Sequence, residues 1–171
     1  NFNDLSNKAY VDSVSGGVKR TTNNVGYIPE LYSATDNQAG FEVSALSYPK
    51  NYPYYAFSDK HEWTSTGEIE NFWIKIKCPA TVAIWQFHLR GRLNSSVGRI
   101  YNGKLEGSND DINWTTLYRT TDTYISTTQY FTISTEDTVN KYIYFRVNVL
   151  AAEHPFPGLT AFQIHTLDDQ I

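Results

Sequence analysis

The sequence contains a single cysteine, no methionine and only short apolar runs within its 171 residues. The lone thiol of Cys78 cannot form a disulfide within the chain, and the absence of cysteine pairs fits synthesis in a reducing compartment. No apolar run approaches the roughly 18 residues that a membrane-spanning helix needs, so we expect no membrane insertion. Because the chain begins without an initiator methionine or a signal peptide, we expect a fragment of a longer protein.

Positive charge is also scarce, since 14 Lys and Arg residues face 18 Asp and Glu residues and give a net charge of −4. Proteins that bind nucleic acid neutralise its phosphates with a basic stripe, and polybasic segments attract anionic lipids in the same way. The composition therefore predicts no nucleic-acid partner and no polybasic contact with a membrane.

Recurring catalytic and cofactor motifs are missing as well, including GxSxG, HExxH and the phosphate loop. The four histidines are scattered without the spacing of metal ligands: His61, His88, His154 and His165. Cys78 lies at the end of a predicted strand with no histidine close in sequence, which favours a buried and unreactive thiol. The sequence therefore predicts a domain that is not an enzyme and holds no cofactor.

What the sequence does contain is a succession of alternating hydrophobic and polar residues after residue 40. The segment "NFWIKIK" places Phe72, Ile74 and Ile76 on one face. The clearest case is "YIYFRVNVL", where the apolar residues at positions 143, 145, 147 and 149 face one way. Turn-rich spacers separate these runs, and no helical period of useful length follows residue 40. The sequence therefore predicts an all-β fold, an antiparallel β-sandwich of about eight strands.

Near the N-terminus, "DLSNKAYVDSVSGG" predicts a short helix with Asp4 as its N-cap and a Ser-Gly-Gly stop signal. About three helical turns are marginal alone in water, so we expect this helix to pack on a partner chain or on a longer shaft. The following stretch is rich in Thr, Asn and Gly, which is typical of a linker. We therefore divide the chain into an N-terminal helix and linker at 1–34, acting as a shaft or oligomerisation segment, and a β-sandwich at 35–171.

The acidic segment "KLEGSNDDINWTTL" could be a metal loop, part of a catalytic site or a turn. Its central part "SNDDIN" lacks the glycine of a helix–loop–helix calcium site, no glutamate follows it at the required position, and both flanks resemble strands. Two adjacent Asp residues on an extended chain point to opposite sides, so they do not form an acid/base pair. Ser, Asn and Asp favour turns, so the segment predicts a hairpin over which Trp114 and Leu117 close.

The part "LEGSNDDINWTTL" is also similar to the "leGSnDg-nWt-L" signature of the discoidin, or F5/8 type C, domains and of related galactose-binding-like carbohydrate-binding modules. Four further stretches resemble the family pattern in order: "VSALSYPKNYPYYAFSDKHEWTS", "FWIKIKCPATVAIWQFHLRGR", "YIYFRVNV" and "GLTAFQIH". The resemblance covers about residues 35–167. It implies a jelly-roll β-sandwich whose loops at one end bind a ligand, often a sugar.

Many members of this family hold a structural calcium ion with an Asp in an "FDG" turn and a Glu in the last strand. Here Ser58 stands in the place of that Asp, and Phe162 and Gln163 stand where the Glu is needed. Asp59 could act as a shifted ligand, but the cation Lys60 lies beside it. We therefore expect no metal site. Asp111 also replaces the usual Gly of the hairpin turn, at a small backbone cost.

The N-terminal "LSNKAYVDSVSGG" resembles the "NKaYVDs" segment that recurs in tail-fibre and baseplate proteins of bacteriophages. This resemblance implies a place in the virion, in the phage tail, and an extracellular site of action. It also implies a homotrimeric shaft and contacts with other tail proteins.

Carried over from sugar-binding relatives, the family resemblance implies a ligand site built from three loops. The candidate residues are His61, Trp63, Arg90, Arg92, Asn94, His154 and Phe156. An aromatic ring stacks on the C–H face of a sugar, while Arg, His and Asn form hydrogen bonds with its hydroxyls.

Each candidate also has a structural alternative. Trp63 could belong to the rim of the core, and one arginine could pair with Glu62 or Asp59. Phe156 could plug the end of the sandwich, although its two flanking prolines stiffen it in a way that suits a contact residue. If "NYPYYAF" is extended, its aromatic residues alternate between two faces, of which one belongs to the core.

The sequence supports three hypotheses for function. The first is a non-catalytic binding module of a phage tail or baseplate protein, which attaches to a polysaccharide or other glycan of the host cell surface. The second is an assembly domain that docks onto another tail protein. The third is a carbohydrate-binding module of a bacterial secreted glycosidase.

Overall fold

The computed structural model describes residues 28, 31, 40–46, 52–58, 61–65, 70–92, 100–120, 128–133, 137–153 and 156–166. Within these ranges the chain forms nine strands and two short 3₁₀ helices, Pro53–Phe57 and Asp137–Val139. The strands are β1 (Glu42–Ala45), β2 (Trp63–Thr64), β3 (Phe72–Val82), β4 (Ile84–Gly91), β5 (Ile100–Ser108), β6 (Thr115–Thr120), β7 (Thr128–Thr132), β8 (Tyr142–Ala152) and β9 (Gly158–Thr166).

The strands form two sheets, and every paired neighbour is antiparallel. One sheet has five strands in the order β1-β3-β8-β5-β6, and the other has four in the order β2-β9-β4-β7. The predicted all-β antiparallel sandwich is therefore confirmed. The predicted N-terminal helix and the domain boundary at residue 34 lie outside the described residues, although Ile28 and Leu31 belong to the hydrophobic core.

Strict alternation of side chains builds the core between the two sheets. From Phe72 to Cys78 of β3 every second residue is buried, and the neighbouring strand β8 of the same sheet repeats this alternation with Phe145, Val147 and Val149. The period of two puts these apolar side chains on the inner faces, as the sequence predicted. Cys78 is part of this core, where burial raises the pKa of its thiol to about 12. A thiol with so high a pKa stays protonated and unreactive at neutral pH.

The acidic hairpin between β5 and β6 is a turn held by its own side chains. The Asp110 carboxylate accepts hydrogen bonds from the backbone N–H groups of Ile112 at 2.9 Å and Asn113 at 2.7 Å. The side-chain amide of Asn113 donates to it as well, at 2.7 Å. These bonds favour the ionised form and hold the pKa of Asp110 far below its usual range. The prediction of a structural turn is therefore confirmed, and Asp111 takes the left-handed conformation of the usual glycine, with φ 60°.

This hairpin lies at the end of the sandwich where β8 begins. Asn109 fixes it there, because its side-chain amide donates to the Lys141 carbonyl and its side-chain oxygen accepts from the Ile143 N–H, both at 3.0 Å. Of the two residues predicted to close over the hairpin, Leu117 is buried in the hydrophobic core, whereas Trp114 is only partly buried and its ring lies 4.0 Å from the guanidinium carbon of Arg146.

A buried charged group, Glu106, lies on the outer face of the five-stranded sheet. It accepts hydrogen bonds from Arg146 Nε at 2.7 Å and from Lys104 Nζ at 3.2 Å. Burial by itself raises the pKa of this carboxyl, but the bonds and charges of Arg146 and Lys104 outweigh burial, so the pKa is lowered. The network keeps Glu106 ionised although the residue is only 3% exposed.

Among the residues that the structure describes, no helix is long and apolar enough to span a membrane.

Candidate functional site

Three segments meet at the end of the sandwich opposite the acidic hairpin. Strand β9 pairs with both β2 and β4, and Leu159 near its start is the register partner of both Trp63 and Gly91. The segment before β2, the end of β4 and the segment before β9 are therefore neighbours. These segments carry His61, Arg92 and Phe156, so the structure brings together three of the residues that the sequence proposed.

Arg92 is the centre of this loop end. Its Nε donates to Glu62 Oε1 at 2.7 Å, and its Nη1 donates to the Phe156 carbonyl at 3.1 Å. Both charged side chains are largely buried, with 22% and 21% of their surface exposed. The pairing of an arginine with Glu62 was one of the structural alternatives for this residue. Because Arg92 contacts both flanking segments, it fixes the spacing between them.

Phe156 combines exposure with backbone strain. Its φ of 66° lies in the left-handed region, and half of its surface is exposed. This conformation costs a residue with a Cβ roughly 1–2 kcal/mol, so its neighbours have to stabilise it. The bond from Arg92 to its carbonyl does so, as does the bond from the Ser65 N–H to the Pro157 carbonyl at 2.9 Å. An exposed ring held in a strained conformation is a feature of binding sites, and it does not fit a plug of the sandwich end.

His61 is exposed and lies against the ring of Tyr55, with 4.7 Å between ring centroids. Its backbone N–H donates to Ser58 Oγ at 3.2 Å, which orients the residue at the start of the segment leading into β2. The structure thus places His61, which the sequence proposed as a ligand residue, on the surface of this loop end.

The segment "NYPYYAF" is not extended, and this corrects the assumption that its aromatic residues alternate between two faces. Residues Pro53–Phe57 form a 3₁₀ helix with proline at its start, where the fixed φ of proline suits the first turn. Phe57 enters the core beside Phe162, with 5.2 Å between the rings, whereas Tyr52 remains exposed. Pro53 was the local signal for this turn.

Trp63 requires a correction, because it is fully buried and presents no surface to a ligand. Its ring lies 6.1 Å from that of Phe72, inside the core between the sheets. The structural alternative for this residue, a place in the core, is the one that the structure shows.

Arg90 lies two residues before Arg92 but has different contacts. Its Nε donates to Thr160 Oγ1 at 2.9 Å, and the Thr160 hydroxyl donates to the Gly91 carbonyl at 2.8 Å. Phe87 and Leu89 on the same strand are buried, so Arg90 faces the outside of the four-stranded sheet. Two further candidates, Asn94 and His154, lie outside the described residues.

Two of the residues at the family's calcium position, Ser58 and Phe162, have other contacts in the structure. The Ser58 hydroxyl is already engaged, because it donates to the Tyr55 carbonyl at 3.0 Å and accepts from the His61 N–H. Phe162, one of the two residues that stand where the family's Glu is needed, places its ring in the core beside Phe57. Asp59 lies outside the described residues, and within the described part of the chain no group of three or more His, Cys, Asp or Glu residues could hold a metal ion.

Comparison with solved structures supports the fold. The Clostridium perfringens module CpGH89CBM32-5, solved in complex with GalNAc-β-1,3-galactose, is similar with a TM-score of 0.64 and 13% identity, over 72% of this chain and 94% of that one. The family 32 carbohydrate-binding module of C. perfringens NanJ, in complex with galactose, gives a TM-score of 0.63 and 11% identity, over 73% and 93%. A chitosan-binding module 2 in complex with chitotriose, from a chitosanase/glucanase of Paenibacillus sp. IK-5, gives 0.61 and 20%, over 77% and 98%.

Comparison with the curated proteins finds no match. The sequence model of the F5/8 type C domain matches residues 42–158, which is more than half of the chain. This range includes the acidic hairpin, Arg90 in β4, Arg92 directly after it, and Phe156. The chain belongs to the F5/8 type C domain family.

Proposed function

We propose that this domain is a non-catalytic module that binds a saccharide at the loop end formed by His61, Arg92 and Phe156. The observation that carries the proposal is the half-exposed ring of Phe156, held at a φ of 66° beside a largely buried arginine. Membership of the F5/8 type C family supports it. The solved structures described above support it too, since they are complexes of similar modules with sugars.

The chemistry of these residues suits a sugar. The electron-rich face of the Phe156 ring attracts the C–H face of a pyranose, and the ring's fixed position lowers the entropy lost on binding. Guanidinium N–H groups of Arg92 are donors for sugar hydroxyls, and the imidazole of His61 offers a donor and an acceptor. Because few rings stack in such a site, one domain binds weakly, and display of several copies supplies avidity.

For the biological setting, we propose a receptor-binding role in a phage tail fibre or baseplate protein that attaches to a glycan of the host cell surface. The N-terminal resemblance to "NKaYVDs" supports this setting, since that segment recurs in such proteins. A homotrimeric shaft and contacts with other tail proteins complete the proposal. The rival within this setting is an assembly domain that docks onto a tail protein through the same loops.

The third candidate is a carbohydrate-binding module of a secreted glycosidase. One observation favours it, because similar solved structures include modules of glycoside hydrolases. Two of them are CBM32-1 and CBM32-3 from a family 31 glycoside hydrolase of C. perfringens. The sequence of the complete gene distinguishes this setting from the phage one. A glycosidase domain encoded in the same gene would identify the chain as a module of that enzyme.

A glycan array probed with the full chain tests the proposed function. Binding to defined glycans that falls at least tenfold in Phe156→Ala and Arg92→Ala variants supports it. Ile112→Ala is the matched control, because Ile112 is an exposed hydrophobic residue in the hairpin at the opposite end. Absence of binding to the array and to host polysaccharide by the wild-type chain would overturn it.

A further inference from the structure

Three tyrosines in and directly before the 3₁₀ helix Pro53–Phe57 have rings that contact one another. They are here called the tyrosine cluster: Tyr52, Tyr54 and Tyr55. The rings of Tyr52 and Tyr54 are stacked, with centroids 5.8 Å apart and planes at 22°. Tyr55 meets both of them edge to face, at 6.0 Å from Tyr52 and 4.7 Å from Tyr54. These are the geometries that aromatic pairs prefer, so each ring fixes the orientation of the others.

The cluster has a supporting layer and an exposed layer. Tyr54 and Tyr55 pack against the hydrophobic core and are partly buried. Tyr52 lies on them and keeps 48% of its surface exposed. Ala56 and Phe57 of the same segment are fully buried members of the hydrophobic core, and Tyr52 is not among its residues. Tyr52 therefore presents a preorganised aromatic surface to solvent at little cost in side-chain entropy.

The backbone also holds this surface in place. Pro53 follows Tyr52 directly, and the Tyr55 N–H donates to the Tyr52 carbonyl at 3.0 Å. A ring anchored by a proline and by two neighbouring rings loses little freedom when a ligand contacts it.

A continuous series of contacts joins the tyrosine cluster to the Phe156 site. The ring of Tyr55 contacts His61 at 4.7 Å, and His61 precedes Glu62 in the chain. Glu62 in turn binds Arg92, which donates to the Phe156 carbonyl. Contacts through Tyr55, His61, Glu62 and Arg92 therefore link the segments that carry the two exposed rings, Tyr52 and Phe156.

We propose that the tyrosine cluster is a second saccharide-contacting subsite, so that the module binds an oligosaccharide of at least two units. The inference rests on the proposed function. One sugar unit stacks on Phe156 and a neighbouring unit contacts Tyr52. The side chains of His61 and Arg92 form hydrogen bonds with hydroxyls of the oligosaccharide. Tyrosine suits this role, because its ring covers the apolar face of a sugar and its hydroxyl forms hydrogen bonds with the sugar's own groups.

Isothermal titration calorimetry with two matched pairs of sugars tests this subsite: galactose against GalNAc-β-1,3-galactose, and glucosamine against chitotriose. For the wild-type chain, we expect the longer sugar of at least one pair to bind about tenfold more tightly than its monosaccharide. In Tyr52→Ala this ratio is expected to fall to about two or less, because the second stacking contact is lost. Tyr52→Phe keeps the ring and is expected to keep most of the ratio.

Ile112→Ala serves as the control at the opposite end, and thermal unfolding of each variant shows that the fold is retained. A ratio that is equal in wild type and Tyr52→Ala overturns the inference, as does failure of all four sugars to bind. The proposed function is overturned only if the glycan array is blank as well, so the two failures are distinguishable.

Discussion

Arg92 and Glu62 form a 2.7 Å ion pair that joins the end of β4 to the segment before β2. The same guanidinium also donates to the Phe156 carbonyl before β9. One cation therefore sets the relative positions of both loops that carry exposed site residues. The pair is largely shielded from water, so its attraction is less screened than that of a surface pair.

Replacing Glu62 by alanine tests this coupling. The change leaves the partly buried guanidinium of Arg92 without its carboxylate partner. We therefore expect the free energy of unfolding to fall by about 1–2 kcal/mol. Thermal unfolding should show a melting temperature lower by roughly 2–8 °C. Saccharide affinity should fall too, because Phe156 loses its fixed position. Glu153→Ala, at an exposed acid beside the same loop, is the control, and an equal melting temperature for the two variants would contradict the coupling.

Phe156 offers a way to separate stability from binding. Phe156→Gly removes the ring and also relieves the strain at φ 66°, so we expect unchanged stability or a gain of up to about 1 kcal/mol. Phe156→Ala removes the ring but keeps the Cβ, so it should be less stable than the glycine variant by about 1 kcal/mol. Both variants should lose saccharide binding. Urea unfolding and calorimetry measure the two properties, and an alanine variant as stable as the glycine variant would show that no strain exists.

The sequence predicted those features that follow from a regular period or from local turn chemistry. Alternation in β3 and β8 identified the buried faces, because a period of two is visible over seven or more residues. The turn around Asp110 was predictable because Ser, Asn and Asp satisfy nearby backbone groups wherever they occur. The pairing of an arginine with Glu62 was predicted from opposite charge, as one of two alternatives beside Asp59.

Features that depend on long-range packing could not be predicted in this way. Strand β2 has only two residues, so no period indicates whether Trp63 points inward or outward. The positive φ of Phe156 gives no sequence signal, since that conformation is expected of Gly or Asn. The exposed position of Tyr52 results from a 3₁₀ turn packed against other segments, which the sequence alone does not show.

Glu106 provides a test of how burial changes the value of an ion pair. Its bond to Arg146 has the same length, 2.7 Å, as the exposed bond between Glu42 and Lys77. Glu106→Ala leaves two partly buried cations without their carboxylate, and we expect a loss of about 2–3 kcal/mol. Glu42→Ala is the matched control, for which we expect a loss below about 0.5 kcal/mol. Urea unfolding measures both, and similar losses would contradict the role of burial.

The lowered pKa of Asp110 predicts how the stability of the hairpin depends on pH. Its pKa in the folded protein is lowered by the Asn113 side chain first, and then by the backbone N–H groups of Asn113 and Ile112. The unfolded chain has the ordinary Asp pKa of about 3.9, so at low pH the unfolded state binds a proton more readily. The stabilisation is therefore complete above that ordinary value and is lost as the pH falls through the lower folded value.

Melting temperatures between pH 2 and pH 6 should therefore depend less on pH in Asp110→Asn than in the wild type, because asparagine does not titrate. Asn113→Ala removes the largest cause of the shift, and nuclear magnetic resonance titration of the Asp110 carboxyl should then give a pKa closer to the ordinary one. A wild-type Asp110 that titrates near about 3.9 would contradict this account. In that case the Asp110 carboxylate would contribute no pH-dependent stability to the turn, and acid should not loosen the hairpin before the rest of the sandwich.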